Sequence, residues 1–515
     1  MSGERDVAEL VAAAAAEQPN RIAVVESGGR SLTWAELDDE VGRIATGLGA
    51  AGVVGGHRVL IAVGNRIEFV TTYLGVLRAQ AVAVPVNPRS TVDELSRMAE
   101  DSGSRVVVAD ADTLGAVRSA VASLAAPPRV VAIGASLLPG EWSYDQLREA
   151  PARPVPPLQD PEKLAVLLYT SGTSGRPRAA MLTHRALLAN LEQVAEVEPP
   201  MIHGDDVVLG VLPLFHVYGL NAVLGAVLCH RARLVLVERF DPHETLGLID
   251  DEACSVVPLA PPVFAYWEDE PDLAEHLGPV RLVLSGSAPL SPEVVERFTA
   301  RTGIPVHQGY GLTEAAPVVT STLCSAEPKT GSVGAALPGV ELRLVDETGH
   351  TPEGTDPGEI QVRGANLFSG YWPDGAGGPD EQGWWSTGDV GFLDDDGDLF
   401  LVDRIKELVI VSGFNVYPTE VEDVIAELDE VTDVGVIGVE DPTTGEAVVA
   451  YVRAPGADPE AVAAAVREHT ARRLARFKQP SRVEVVDELP RTVTGKVQKG
   501  RLRGIERRRT LGLLE

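Results

Sequence analysis

The sequence predicts an α/β fold: a large N-terminal α/β domain of several subdomains, followed by a small α+β C-terminal domain. Three observations carry this. Apolar runs of strand length alternate with helical periodicity through the first two thirds of the chain, which is the pattern of βαβ units and a parallel sheet. From about Gly331 the texture changes to strands separated by turn residues, and after about Asp403 to a separate α+β pattern. The chain has 515 residues, long enough for two or more domains, and its 44% apolar content can fill a large core.

The elements follow in order. The opening "MSGERDVAELVAAAAAEQPN" mixes acids into an alanine run and lacks a basic n-region, so it reads as a helix and not a signal peptide. "SLTWAELDDEVGRIATGLGAAG" starts with a capping box, Thr33 to Glu36, after which Leu37, Val41, Ile44 and Leu48 share one helical face. "HRVLIAVGN", "EFVTTYLGVLRAQ" and "AVAVPVN" then read as strand, helix and strand. "SRVVVAD", "PRVVAIG", "AVLLYT", "ARLVLVE" and "VRLVLSG" continue the buried strands. Proline-rich "PARPVPPLQD" is a surface connection. Val207 to Cys229 has the length of a membrane span, but Pro213, His216 and Asn221 interrupt it, so it reads as a buried strand, a loop and a buried helix. "GVELRLVDETG", "GEIQVRG" and "LFLVDRIKELVIVSG" are strands, and the acidic run Asp394 to Asp398 lacks the spaced ligands of a calcium loop and reads as a hairpin turn. "PTEVEDVIAEL", "DVGVIGV", "EAVVAYVRA", "EAVAAAVREHTARRL" and "RVEVVDEL" form the last α+β pattern.

The formal net charge of −31 argues against nucleic acid as a partner, because phosphate contacts need a basic surface. It does not exclude small anions, which need only a local positive site. Cys229, Cys254 and Cys324 fit neither a disulfide framework nor a zinc knuckle and read as reduced thiols of a cytoplasmic protein. Against the acidic whole, the last segment is rich in Arg472, Arg473, Arg476, Lys478 and Arg501. These form either a solvated helix face or an anion-facing surface.

The most unusual stretch is "LLYTSGTSGRPRAAMLTHRAL", Leu167 to Leu187. Its glycines and small hydroxyl residues pack poorly and lose much entropy on ordering. The loop follows the strand "KLAVLLYT" and precedes a helix starting near Thr183. Backbone N–H groups and hydroxyls there can face phosphate oxygens. It is not a Walker A loop, since Pro177 and Arg178 stand where that motif needs Gly-Lys, and no Gly-x-Ser-x-Gly elbow occurs there. Spacing alone leaves a phosphate loop and a merely mobile loop both open.

"YTSGTSGRPRAAMLTH" resembles the phosphate loop of the adenylate-forming superfamily, which includes acyl-CoA synthetases, carrier-loading adenylation domains and beetle luciferases. Six further stretches match in order: "LPLFHVYG" (Leu212–Gly219), "SGSAPL" (Ser285–Leu290), "QGYGLTE" (Gln308–Glu314), "GWWSTGD" (Gly383–Asp389), "VDRIKELVIVSGFNVYPTEVE" (Val402–Glu422) and "LPRTVTGK" (Leu489–Lys496). The resemblance spans nearly the whole chain. It implies that a carboxylic acid is coupled to AMP with release of pyrophosphate, and that the acyl group then passes to a thiol. A carboxylate with pKa about 4 to 5 is already ionised at neutral pH, so the difficulty is bringing two anions together.

The resemblance also implies roles. Ser171, Gly172, Thr173, Ser174 and Gly175 would wrap the β- and γ-phosphates of ATP, with Arg178 adding charge at the loop exit. Thr313 would hydrogen-bond the α-phosphate, and Glu314 would hold Mg²⁺. Tyr310, flanked by Gly309 and Gly311, would lie against adenine, with Gly286, Ser287 and Ala288 bordering the other side. Asp389 would take the ribose hydroxyls, assisted by Arg404. Lys496 would bridge the α-phosphate and the substrate carboxylate. His216 would sit at the acyl pocket, although a core histidine with a satisfied hydrogen bond is the alternative reading.

The implied organisation is an N-terminal domain over 1–402 holding ATP and acid, a hinge at 403–406, and a mobile C-terminal domain over 407–515. Rotation about Lys406 would withdraw Lys496 and bring up the loop near Gly413, so that the thiol of coenzyme A can enter. An acyl carrier protein is the alternative thiol. The short connection from "GEIQVRG" to "GWWSTGD" lacks the insertion of carrier-specific fatty acyl-AMP ligases and favours CoA. Two departures stand out. The family loop usually ends Pro-Lys-Gly where this chain has Pro177-Arg178-Ala179, and Ile410 occupies the place of the luciferases' second lysine, which counts against oxygenase chemistry. Residues near His216 to Leu224 and Ala315 to Val318 should line the acyl pocket. They are small or apolar, and no arginine stands ready for a second carboxylate, so a fatty or other apolar monocarboxylic acid is expected. No transmembrane segment is expected, which leaves room for peripheral membrane contact only.

Overall fold

The computed structural model describes residues 6–170, 178–288, 290–346, 349–352, 356–404, 407–411, 414–441, 444–492 and 495–510. Their contacts divide into two compact units. One comprises most of residues 6–341 together with Arg363–Trp385, and the other comprises Leu342–Val362 and the described residues from Ser386 onward.

The first unit contains two large sheets. In the seven-stranded sheet the spatial order is Trp142–Ser143, Arg129–Ala132, Val106–Ala109, Arg58–Ala62, Val82–Pro85, Leu164–Thr170 and Arg178–Thr183. All neighbours are parallel except the last two strands, which are antiparallel. The expected βαβ unit is present: Arg58–Ala62 and Val82–Pro85 pair in parallel across the helix Ile67–Arg78. The nine-stranded sheet runs from Ala335–Ala336 through Val318–Ser321, Val306–Gly311, Leu282–Ser285, Val256–Leu259, Val207–Gly210, Arg233–Leu236 and Ile22–Glu26 to Ser31–Thr33. Its centre is parallel and its two ends are antiparallel. The central runs are apolar throughout because both faces are covered. The Thr33–Glu36 capping box forms as the spacing requires, with Leu37, Val41, Ile44 and Leu48 all buried.

Val207 to Cys229 folds as the strand Val207–Gly210, a loop, and a helix over Tyr218–Gly225 and Ala226–His230 whose first part has the wide π turn. Gly219 is needed there, because a Cβ would stand 2.2 Å from the Pro213 carbonyl oxygen. Among the described residues no helix is long and apolar enough to cross a membrane. The three cysteines are free thiols.

Trp384–Leu393, which enters the second unit at Ser386, pairs antiparallel with Leu399–Arg404, and Asp394 to Asp398 makes the expected hairpin turn between them. A further sheet pairs Val409–Val411, Phe414–Val416, Gly445–Arg453, Asp433–Asp441 and Arg482–Val485, with the helices Pro418–Ala426 and Pro459–Arg473 over its apolar face. The four-strand layer from Val340–Val345 to Leu399–Arg404 thus contributes most of its residues to the second unit, ahead of the boundary expected at 403.

Near the N-terminus Asp6 and His184 approach to 3.4 Å, both almost fully buried. They are not a charged pair: His184 Nδ1 accepts the Val7 N–H, so it carries no proton on that side. Burial lowers the His184 pKa to about 4 and raises that of Asp6 to about 7, the Asp6 rise partly offset by the hydrogen bond from the Ala8 N–H. The folded state therefore holds a proton on Asp6 that the unfolded chain gives up from about pH 4, and the stability this supplies is lost as pH rises towards 7. Asp6→Asn keeps the acceptor and deletes the titration. Urea unfolding should find it equal to the native protein near pH 4 and more stable by roughly 2–4 kcal/mol at pH 8.

Candidate active site

The strand Val306–Gly311 ends the parallel part of the nine-stranded sheet and carries Tyr310, which is buried. Gly309 and Gly311 are the close approaches on this strand: a Cβ would lie 2.7 Å from the Thr320 carbonyl oxygen at the first and 2.5 Å from the Pro317 carbonyl oxygen at the second. A short 3₁₀ turn, Thr313–Ala315, follows and holds Thr313 and Glu314.

Three buried asparagines fix that turn. Asn366 Nδ2 donates to the Ala315 carbonyl at 2.7 Å and Asn221 Nδ2 to the Ala316 carbonyl at 2.7 Å. Asn190 meets Val318 twice, donating to its carbonyl at 2.8 Å and accepting from its N–H at 3.0 Å. None of these was singled out for this purpose from the sequence. The available signal was a polar residue on an otherwise apolar face: Asn190 in "HRALLANLEQVA" and Asn221 in "YGLNAVLG".

Glu314 is only 9% exposed, so it is not an ordinary surface carboxylate. Its Oε1 accepts the hydroxyl hydrogen of Tyr371 at 2.7 Å. Its other oxygen takes no hydrogen bond from a described residue, and no described cationic side chain pairs with it. A half-committed buried carboxylate of this kind fits a hard divalent cation that arrives with its own oxygen ligands. Among the described residues no group of three or more His, Cys, Asp or Glu side chains could hold a metal by itself. Tyr371 also lies under Arg178, whose guanidinium carbon is 3.6 Å from the ring centroid.

Ser171, Gly172, Thr173, Ser174 and Gly175 lie outside the described residues. What flanks them corrects the strand–loop–helix reading. The loop joins Leu164–Thr170 to a second strand, Arg178–Thr183, paired antiparallel with Thr170 opposite Arg178. The helix His184–Ala195, capped by Thr183, begins only after that strand. "RAAMLT" alternates faces and completes the sheet edge, so no helix N-terminus adjoins the loop.

Gly286, Ser287 and Ala288 follow the strand Leu282–Ser285. A Cβ on Gly286 would lie 2.9 Å from Cε1 of Tyr218, so only glycine lets the phenol pack this close. Ser287 has φ +72°, in the left-handed region. His216 is half-buried, and its Nδ1 accepts the Tyr218 N–H at 3.3 Å, which leaves Nε2 as the second ring nitrogen.

The second unit holds Asp389, Arg404 and Lys496. Asp389 is buried on Trp384–Leu393, directly across from Arg404 in the register. Its N–H donates to Thr387 Oγ1, which in turn donates to the Ile360 carbonyl. A register shift follows at Val390/Gly391. The Arg404 side chain, Lys406 and Gly413 are outside the described residues. Lys496 is exposed at the end of a tight turn: its N–H donates to Thr492 Oγ1 and its carbonyl accepts the Thr492 N–H. Lys499, three residues on, is buried and ion-paired to Glu422 at 2.9 Å and Glu407 at 3.3 Å. Of the basic residues noted in this segment, Arg472, Arg473 and Lys478 pair with Glu468, Glu427 and Glu420. That pairing favours the solvated-face reading for these three.

A sequence model of the AMP-binding enzyme family matches residues 11–372, and one of the AMP-binding enzyme C-terminal domain matches residues 420–496. The chain is 36% identical over 524 residues to the 4-coumarate–CoA ligase-like 9 protein of Oryza sativa subsp. japonica, covering 96% of this chain and 92% of that one. It is 32% identical over 521 residues to the long-chain-fatty-acid–CoA ligase of Bacillus subtilis, covering 95% and 92%. ATP-bound MatB from Rhodopseudomonas palustris superposes with a TM-score of 0.87 at 33% identity, covering 97% of this chain and 98% of that one. The anthranilate CoA ligase AuaEII in complex with anthranoyl-AMP superposes at 0.88 with 25% identity, covering 98% of each.

Asn366→Ala should leave the Ala315 carbonyl unpaired in the interior, at a cost of about 1–3 kcal/mol. Denaturant unfolding should show that loss. Near-native stability would mean that water replaces the amide.

Proposed function

Because this chain belongs to the AMP-binding enzyme family and is an AMP-forming acid–thiol ligase acting on ATP and CoA, we propose that its acid is a fatty or other apolar monocarboxylic acid. The observation that carries this reading is the absence of a cation where the acid should lie. From Pro213 to Val227, from Ser285 to Leu290 and from Val306 to Thr322 the chain contains no lysine or arginine. A second carboxylate there would be desolvated without a partner. Leu220, Val223 and Leu224 face the interior, and Tyr218 offers an aromatic wall against Gly286. Both aliphatic and aromatic acids fit such a surface, and the relatives named for 4-coumarate and for long-chain fatty acids fall on either side. A panel of acids scored by pyrophosphate release tests the reading; preference for a dicarboxylate would refute it.

In the first half-reaction an oxygen of the ionised acid attacks the α-phosphorus of ATP, the bond to the β-phosphate oxygen breaks, and pyrophosphate leaves. No proton need move. The protein's work is to screen charge and align the groups. The proposed assignment gives the β- and γ-phosphates to Ser171–Gly175 and Arg178, and the α-phosphate to Thr313. Glu314 supplies the carboxylate for Mg²⁺, which when bound neutralises phosphate charge. Tyr310 lies along adenine, bordered by Gly286, Ser287 and Ala288, and Asp389 with Arg404 takes the ribose. Lys496 bridges the α-phosphate and the acid, and His216 borders the acyl group.

In the second half-reaction the CoA thiolate attacks the acyl carbonyl and AMP leaves. The proposal keeps the hinge at 403–406, with Lys406 as pivot, the 1–402 and 407–515 segments as the two bodies, and Gly413 arriving as Lys496 withdraws. Lys496 suits this use, standing exposed on a turn whose base is fastened through Lys499. Transfer to a carrier-protein thiol is the second reading. It is favoured only if a holo carrier protein outcompetes CoA as acceptor.

Lys496→Ala should slow pyrophosphate release by about 10²-fold or more while supplied acyl-adenylate is still converted to thioester. Equal loss in both steps would rule out alternation. Asp389→Ala should weaken ATP binding about tenfold or more in calorimetry, and unchanged affinity would mean the ribose lies elsewhere.

A further inference from the structure

We propose that Tyr371 is a positioning residue for the divalent cation: its hydroxyl sets the orientation of the Glu314 carboxylate, and Arg178 holds the ring in place. The inference rests on the reading of Glu314 as the cation's carboxylate.

The geometry is specific. Tyr371 sits 57 residues beyond Glu314, and its phenol donates to Oε1 at 2.7 Å, a short bond to a buried carboxylate. A glutamate's terminal torsion is otherwise broad, so a single donor on one oxygen decides where the other points. The ring that makes this bond is fixed from three sides. Arg178 covers one face at 3.6 Å. Phe368 meets it edge-on at 5.0 Å and 77°. The Tyr371 backbone bridges to Ala180 and to Ala376. Gly377 keeps the space open, since a Cβ there would lie 3.3 Å from both the Arg178 guanidinium and the Tyr371 ring. The cation over the ring also draws electron density from the phenol and strengthens its O–H as a donor.

Arginine rather than lysine at position 178 follows from this contact. A planar guanidinium can lie flat on a ring and still present N–H groups at its edge, which a lysine ammonium cannot. The phosphate loop's exit and the carboxylate are thereby joined through one aromatic side chain.

The test uses the full chain, Mn²⁺ as the reporter ion, and a nucleotide with a methylene bridge between its α- and β-phosphorus atoms, so that no turnover occurs. Electron paramagnetic resonance counts bound Mn²⁺ at saturating nucleotide. Tyr371→Phe keeps the ring, the Arg178 stack and the backbone bridges and removes only the hydroxyl. It should weaken Mn²⁺ binding about 10- to 100-fold, as loss of a partner behind a metal ligand does, while metal-free nucleotide affinity and the thermal midpoint stay native. Glu314→Gln separates this inference from the reading beneath it. If Glu314→Gln weakens Mn²⁺ binding and Tyr371→Phe stays within twofold of native, the positioning role is overturned. If neither variant changes it, Glu314 is not the carboxylate in question and both fall. The double variant supplies a second check: the two losses should overlap rather than multiply, and full multiplication would assign Tyr371 some other action.

Discussion

The Ala315, Ala316 and Val318 carbonyls turn into the interior, and the placement of Glu314 depends on how they are satisfied. A buried carbonyl without a partner costs free energy comparable to a lost hydrogen bond. The three asparagines that meet them come from three separate places: the helix His184–Ala195, the π turn Tyr218–Gly225, and the loop after Gly358–Gly364. Gln193, one helical turn from Asn190, completes the set by donating to Asn366 Oδ1. The turn is therefore correct only when all three elements have docked. The chain thereby delivers one carboxylate to a defined position through hydrogen bonds from three elements.

The acidic balance of the chain bears on how anionic substrates are handled. At −31 the protein as a whole repels ATP and a carboxylate. At physiological salt that field fades beyond about 8 Å, so nearby groups decide. Much of the basic C-terminal segment is already spent on its own acids: Arg473 on Glu427, Lys478 on Glu420, Lys499 on Glu407 and Glu422. Lys496 sits on an exposed turn and Arg178 on an aromatic face, settings from which a cation can reach an anion.

The fold class was legible because hydrophobic period is a local signal: buried parallel strands read as unbroken apolar runs, and helices such as Trp34–Ala50 announce themselves by cap and stripe. The roles proposed for Glu314, Tyr310, Asp389 and Lys496 come from motif resemblance. Arg178 was legible as charge at the loop exit and as a departure from the family pattern, but its stacking was not, because that contact lies 193 residues away on Tyr371 and a sequence read in one dimension carries no trace of it. The asparagine clamps were hidden for the same reason, each being a polar residue whose partner is a backbone carbonyl on another element. The strand Arg178–Thr183 was missed because six residues before a strong helix cap read as an approach to the helix. Only the ladder from Thr170 to Arg178 reveals an edge strand.

That edge strand changes how the loop can work. A glycine-rich loop at a helix N-terminus draws on the helix dipole and on unpaired N–H groups of the first turn. Here the helix N-terminus is used otherwise: Thr183 Oγ1 accepts the Ala186 N–H, and the buried His184 packs against the N-terminal segment at Asp6 and Val7. The loop instead springs from two antiparallel strands whose last paired residues face each other, with Thr170 Oγ1 donating to the Arg178 carbonyl at 3.3 Å. Fastening both ends of a loop removes much of the entropy it would otherwise lose on closing around a ligand. The stacked guanidinium at one of those ends extends the fastening to the ring that holds Glu314. The residues that flank the loop and the ring that bonds Glu314 thus meet at one sheet edge.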